Sequence, residues 1–182
     1  MARRKSPWLW IAGATGLVAA GALVASRDSS IFSGGCDEAS LRKKVVDAAR
    51  SEVGQKNLDK YFADAAPQFV GQHPEWCGIF ALWCLHQAGL AKDKQWKTGL
   101  GFLETSPALP HTHDPKPGDL AYYTKYSHQA VVLVNNGDGT TENANGNGSG
   151  GVVSISHPEI ADAAAFYSIK NLIDQAIAKG CA

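Results

Sequence analysis

The chain has 182 residues, of which 45% are apolar and 19% charged, the size and composition of one ordinary globular domain; disorder and collagen-like repetition do not fit it. Seventeen Lys plus Arg balance seventeen Asp plus Glu, so no global field is available to hold a nucleic-acid backbone. Four cysteines without a C-x-x-C pair argue against a disulfide-dense scaffold, a zinc ribbon and a thioredoxin-like redox site.

The zero net charge is uneven along the chain. Arg3, Arg4 and Lys5 precede an uncharged, largely apolar run of eighteen residues, Trp8 to Ala25. A basic flank, an apolar stretch and small residues are the ingredients of an export signal or a membrane anchor, expected over residues 1–26. At about 1.5 Å per residue the run reaches about 27 Å, close to a hydrocarbon core of about 30 Å. Ala20-Gly21-Ala22 and Val24-Ala25-Ser26 are sequences a signal peptidase reads. Residues 27–35, rich in Ser and Gly, are expected to be a tether, and residues 36–182 the working domain. Setting the three leader charges aside leaves fourteen Lys plus Arg against seventeen Asp plus Glu, about −3.

Leu41, Val45, Val46, Ala49 and Val53 recur at helical spacing, with Gly54 as a stop, which predicts an amphipathic helix over Asp37 to Val53. A short second helix is expected at 57–66, before Pro67 and the Gly71-Gln72-His73-Pro74 break. Cys77 to Leu90 is apolar on nearly all sides and predicts a buried central helix. Residues 91–118 contain Pro107, Pro110, Pro115 and Pro117 and read as a long surface connection. The period then changes to that of strands at Leu120–Tyr123, His128–Asn135, Thr140–Ala144, Val152–Ser156 and Ala165–Ile169, with Asn136-Gly137-Asp138-Gly139 as a hairpin turn. A last helix is expected over Lys170–Lys179. Helices first and an antiparallel sheet second is the order of an α+β fold.

Cys77 opens the buried helix directly after the loop residues Pro74-Glu75-Trp76. A thiol at a helix N-terminus meets unpaired N–H groups and the positive end of the dipole, which favour a thiolate and can hold an oxyanion. Cys84, two turns along the same helix, reads as a packed hydrophobe. His128 opens the strongest strand after Lys125-Tyr126-Ser127, where a rigid strand end can present an imidazole as general base. His86 lies inside the buried helix, His157 precedes Pro158, and His73, His111 and His113 lie in loops; these read as structural or solvated. Past the hairpin, Glu142 is the first choice for the group that accepts the imidazole N–H, with Asn143 and Asn145 as alternatives. A metal site built on His111-x-His113-Asp114 lacks further ligands at characteristic spacing, so no metal or other cofactor is expected.

Glu75-Trp76-Cys77-Gly78-Ile79-Phe80-Ala81-Leu82-Trp83, Pro115-Lys116-Pro117-Gly118-Asp119-Leu120, His128-Gln129-Ala130-Val131-Val132 and Thr141-Glu142-Asn143 occur in that order. Together they resemble the cysteine, histidine-dependent amidohydrolase/peptidase (CHAP) class of the papain-like superfamily, over roughly residues 45–169. The resemblance implies N-terminal helices packed on a small antiparallel sheet, with Cys77 as nucleophile, His128 as general base and Glu142 as orienting residue. One departure is that Asn143 and Ala144 follow Glu142 where related sequences often have Gly or another residue and then Asn. Gln72, five residues before Cys77, stands only approximately where papain-like enzymes carry an oxyanion-binding glutamine. The implied activity is hydrolysis of an amide in peptidoglycan, as amidase or endopeptidase, by a monomer exported to the periplasm or cell envelope and held at the membrane by its N-terminal segment. An amidase or acyltransferase on a non-wall amide, and an inactive binding domain of the same fold, are the competing readings.

Cys36 and Cys181 stand at the two ends of the working domain, each beside Gly. In an oxidising compartment they can pair, the alternative being two unpaired surface thiols.

Overall fold

The computed structural model describes residues 35–72, 74–104 and 108–181. The expected leader over 1–26 and most of the tether lie outside the described residues. Among those residues no helix is long and apolar enough to cross a membrane.

Helix α1 (Glu38–Ser51) is capped by Asp37, whose carboxylate accepts the Ser40 N–H at 2.8 Å. Leu41, Val45 and Ala49 form its buried stripe. Helix α2 (Leu58–Ala65) buries Tyr61, Phe62 and Ala65, and both helices pack on α3 (Cys77–Gln87), of which every residue from Cys77 to His86 is buried. The apolar run thus becomes a central helix because other elements cover it all round. The Pro-rich connection carries a short helix, α4 (Gly101–Glu104), and a two-residue strand, β1 (His111–Thr112), neither of which was expected from the sequence.

The remaining strands are β2 (Leu120–Tyr123), β3 (His128–Asn135), β4 (Thr141–Asn145), β5 (Ser154–Ser156) and β6 (Ala165–Tyr167), followed by α5 (Lys170–Ala178). They form one six-stranded antiparallel sheet in the order β1-β6-β2-β3-β4-β5. The architecture is therefore mixed helix and antiparallel sheet, consistent with α+β. Strand alternation separates the two faces. Leu120, Val131, Leu133, Ala144 and Tyr167 join the helices in the main core, whereas Ala121, Ala130, Val132 and Phe166 form a smaller cluster on the other face with Tyr123, Ile160 and Ala163.

Two long-range ties fix the frame. Asp119, 1% exposed, accepts from Arg42 at 2.8 Å, from the Lys116 N–H at 2.9 Å and from the Ile169 N–H at 3.0 Å, joining α1, the entry to β2 and the start of α5. A disulfide joins Cys36 to Cys181 across 145 positions of sequence, with their Cα atoms 5.7 Å apart. The described chain is closed nearly end to end by that bond, whose presence points to a non-cytoplasmic, oxidising location.

Candidate functional site

The start of α3 is pinned from behind by aromatic packing. Trp76 stacks on Tyr61 at 5.6 Å and meets Phe80 edge-on at 6.4 Å, so the last loop residue is buried and the helix begins at Cys77. Gly78 is required by close approach: a Cβ there would lie 2.5 Å from Trp96 Nε1 and 2.9 Å from Gln129 Nε2. The loop carrying Trp96 and the strand carrying Gln129 therefore close directly onto the first turn of α3. Gln129 Nε2 also donates to the Gly99 carbonyl at 2.7 Å, tying the same loop to β3.

Opposite the helix end, the chain turns from β2 into β3 through Thr124–Tyr126 and reaches Ser127 in the left-handed region, φ 46° and ψ 42°. A serine there is under mild strain, and the turn directs its carbonyl towards the helix, 4.0 Å from Cys77 Sγ. His128 follows, half-buried, and lines the same cleft of about 960 Å³ as Cys77.

The protonation pattern of His128 follows from its neighbour. Asn145 Nδ2 faces three acceptors, the Asn143 carbonyl at 3.2 Å, the Ser154 carbonyl at 3.1 Å and Ser156 Oγ at 2.9 Å. That environment fixes the amide with Oδ1 towards His128 Nε2, 3.0 Å away. Nε2 therefore carries the hydrogen and donates it, and Nδ1 is left as the basic nitrogen of the ring.

Burial pushes the Cys77 thiol above its ordinary pKa; the backbone N–H groups of Gln129 and Gly78 oppose this and the Glu75 carboxylate adds to it. Burial likewise moves His128 down, against the opposing hydrogen bond it donates to Asn145 and the charge of Glu75. Burial thus favours the neutral form of each group, thiol and imidazole. Backbone N–H groups that would favour a thiolate would equally favour an oxyanion formed beside it. Glu75 lines the cleft and accepts a hydrogen bond from Asn147 Nδ2, which links the loop before Cys77 to the loop after β4.

Of the three residues expected to act together, Cys77 and His128 face one cleft and Glu142 does not. The expectation that Glu142 orients His128 is corrected: its carboxylate lies 2.8 Å from Arg50 at the end of α1 and 3.5 Å from His157. The reason is the β3–β4 register. Asn143 pairs with Val132 and Ala144 with Val131, so Glu142 and Ala144 point to the helix-covered face, and Asn143 and Asn145 to the opposite one. Asn145, one of the two alternatives, holds the position. The other, Asn143, is fully buried and donates to Tyr123 Oη at 2.7 Å.

The remaining candidates are spent elsewhere. Gln72 Nε2 donates to the Gln68 carbonyl at 3.3 Å, and Gln72 is not among the described residues lining the cleft. His86 is held between Asp64 at 3.1 Å and the Ala91 carbonyl at 2.9 Å, and Cys84 is fully buried. The His111 ring packs edge-on against Tyr167 at 4.8 Å. Among the described residues no three His, Cys, Asp or Glu side chains gather as a metal-binding group. Trp96 and Gln129 shape the site without having been expected to; their only trace in the sequence is Gly78 beside Cys77, which marks a close approach without naming the partner. No family model, curated protein or solved structure matches the chain.

Proposed function

We propose that the protein is a cysteine hydrolase of amide bonds in peptidoglycan, with a CHAP-type, papain-like domain exported to the cell envelope and tethered there by its N-terminal segment. The observation that carries the reading is the shared cleft, in which a helix-terminal thiol, Cys77, stands with an imidazole whose tautomer Asn145 fixes. Peptidoglycan as substrate rests on the motif resemblance, and export rests on the basic-then-apolar N-terminus together with the disulfide.

The reaction runs in two halves. As the substrate carbonyl approaches, His128 Nδ1 takes the Cys77 proton, and the sulfur forms a bond to the carbonyl carbon. The N–H groups of Cys77 and Gly78 at the start of α3 face the negative oxygen that develops. The amide C–N bond then breaks, and the nitrogen takes the proton back from His128 and departs as an amine. His128 next activates water, which cleaves the thioester to a carboxylate and the free thiol. Asn145 acts through His128 and is a positioning residue.

The test uses the full-length protein on purified peptidoglycan, with release of new amino groups as readout and mass spectrometry of the fragments. Cys77→Ser and His128→Ala are expected to lower release by at least about a thousandfold. Release by Cys77→Ser equal to that of the unaltered protein overturns the proposal, and fragments lacking a newly freed amine remove the amide as the bond cleaved.

A further inference from the structure

Trp96, 9% exposed, lines the cleft with Cys77 and Gly78, and its indole Nε1 is shielded from solvent without a hydrogen-bond partner. Among the described residues it is the one buried side-chain nitrogen so placed; the other such atoms are oxygens. A buried indole N–H ordinarily has a partner, because leaving it unmade costs the desolvation of the group. An exception at a reaction centre calls for a functional reason.

Gly78 fixes where this N–H stands. A Cβ on Gly78 would lie 2.5 Å from Nε1, so the nitrogen occupies the direction that a side chain would take from the first turn of α3. Cα–Cβ bonds tilt towards the N-terminus of a helix, the end to which its first, unbonded N–H groups also point. Trp96 Nε1 therefore stands at the same end of α3 as the N–H groups of Cys77 and Gly78. Gln129 Nε2, the other side-chain donor over Gly78, is committed to the Gly99 carbonyl at 2.7 Å, and Gln72 Nε2 is turned to the Gln68 carbonyl at 3.3 Å. The Trp96 ring is held in place. Its backbone N–H donates to the Ala65 carbonyl at 2.8 Å, its carbonyl accepts from Gln68 Nε2 at 2.5 Å, and Phe69 meets the ring edge-on at 5.7 Å. A phenylalanine could pack against Phe69 as well but would bring no N–H.

We infer that Trp96 is a further catalytic residue: its indole N–H donates to the negative oxygen of the tetrahedral intermediate, beside the backbone N–H groups at the start of α3. This rests on the hydrolase reading above and adds to it the side-chain donor that Gln72 does not supply. The oxygen becomes a stronger acceptor as its charge develops, so the bond forms chiefly on the way to the intermediate and acts on kcat. A donor already fixed in place needs no reorganisation at that moment.

The experiment follows the Trp96 indole proton by NMR in the full-length, unaltered protein, assigned through its proximity to Gly78, while acetyl-alanyl-alaninal labelled with ¹³C at the aldehyde carbon is added. Cys77 Sγ bonds that carbon, the π pair of the C=O moves onto the oxygen, and the thiol proton passes to His128, which places charge where the intermediate carries it. The indole proton is expected to move downfield as the tetrahedral ¹³C signal appears. An adduct with an unmoved indole signal overturns the assignment, and a signal already downfield in the free protein and unmoved by the adduct gives the N–H to Gln129 Oε1 instead. In kinetics on peptidoglycan, Trp96→Phe is expected to lower kcat by about a hundredfold with little change in KM, the scale for one lost oxyanion donor. Unchanged kcat in Trp96→Phe, beside hydrolysis that Cys77→Ser abolishes, removes Trp96 and keeps the hydrolase. No adduct, with hydrolysis that survives Cys77→Ser, removes the cysteine mechanism and the role of Trp96 with it. The adduct measurement needs no variant, so it decides the role of Trp96 even where Trp96→Phe fails to fold.

Discussion

Asn145 turns its carbonyl oxygen to His128 Nε2 at 3.0 Å because its amide nitrogen is surrounded by the Asn143 and Ser154 carbonyls and Ser156 Oγ. β4 and β5 thereby set which nitrogen of an imidazole on β3 is basic. The sheet aims the ring and also determines its tautomer.

Replacing Asn145 by Ala removes that constraint and should lower kcat by about a hundredfold, the scale of a misaligned catalytic group, with a small change in KM. Glu142→Gln breaks only the partly exposed contacts to Arg50 and His157, and should change activity by less than about twofold, with a stability cost of about 0 to 1 kcal/mol. Steady-state kinetics on both variants decide the matter. A larger loss in Glu142→Gln than in Asn145→Ala would return the orienting role to Glu142.

The contrast shows where the sequence stops being readable. The helix at 38–51 follows its apolar period and its Asp37 cap, those at 58–65 and 77–87 follow apolar runs bounded by Pro and Gly, and β2 and β3 have the bounds their alternation predicts. Cys77 and His128 are legible for the same reason, since each opens a strongly patterned element. Glu142 against Asn145 is a question of register: strands β3 and β4 shift between Val132 and Val134, and one residue of slip exchanges the faces. Turn length alone does not reveal that bulge. β1 escaped because two residues among prolines have no period, and the strand exists only through pairing His111 with Tyr167 and Thr112 with Phe166.

The expected pH behaviour follows from Cys77 and His128 both being shifted towards their neutral forms by burial. Alkylation of Cys77 by iodoacetamide, located by mass spectrometry, should rise with pH about a midpoint above the ordinary cysteine value of 9.0. The acid limb of kcat/KM should fall below the ordinary histidine value of 6.5, because protonating Nδ1 removes the base. Stability moves in the same sense. Folded His128 has the lower pKa, so its contribution is present above 6.5 and is lost as pH falls below it, where only the unfolded chain takes up the proton. Thiolate absorbance at pH 7 that Cys77→Ser abolishes would contradict the neutral pair.

The disulfide makes a prediction of scale. Cys36 and Cys181 enclose nearly the whole described chain, and cross-linking ends 145 residues apart removes chain entropy worth at most about 5 kcal/mol in the loop-closure model. A Cys36→Ser/Cys181→Ser protein should unfold at lower urea with an unchanged or larger m-value and retain its cleft chemistry, since neither cysteine lines the cleft. Equal urea midpoints for the two proteins would show that the closed ends add no stability. Alkylation of both cysteines in exported, non-reduced protein would show that the bond does not form.

Asp119 is expected to be the most sensitive position outside the cleft. Its carboxylate takes the Arg42 guanidinium and two backbone N–H groups, while its own carbonyl accepts from Val132 N–H at 2.8 Å and Gly118 N–H donates to the Val132 carbonyl at 2.8 Å. One residue thus connects α1 and α5 to β3, the strand that begins at His128. Asp119→Ala leaves Arg42, 7% exposed, with only the partly exposed Glu38 carboxylate at 2.8 Å and the Pro117 carbonyl at 2.9 Å as partners, and should cost about 3 kcal/mol, because the buried half of its charge pairing and two backbone hydrogen bonds are lost together. Replacing both members by apolar residues of similar volume, Arg42→Met with Asp119→Leu, should recover much of that charge penalty but not the backbone hydrogen bonds to Lys116 and Ile169. Urea unfolding of the two single variants and the double variant measures the coupling. If Asp119→Ala unfolds at the same urea concentration as the unaltered protein, the ion pair is not what holds α1 against the entry to β2.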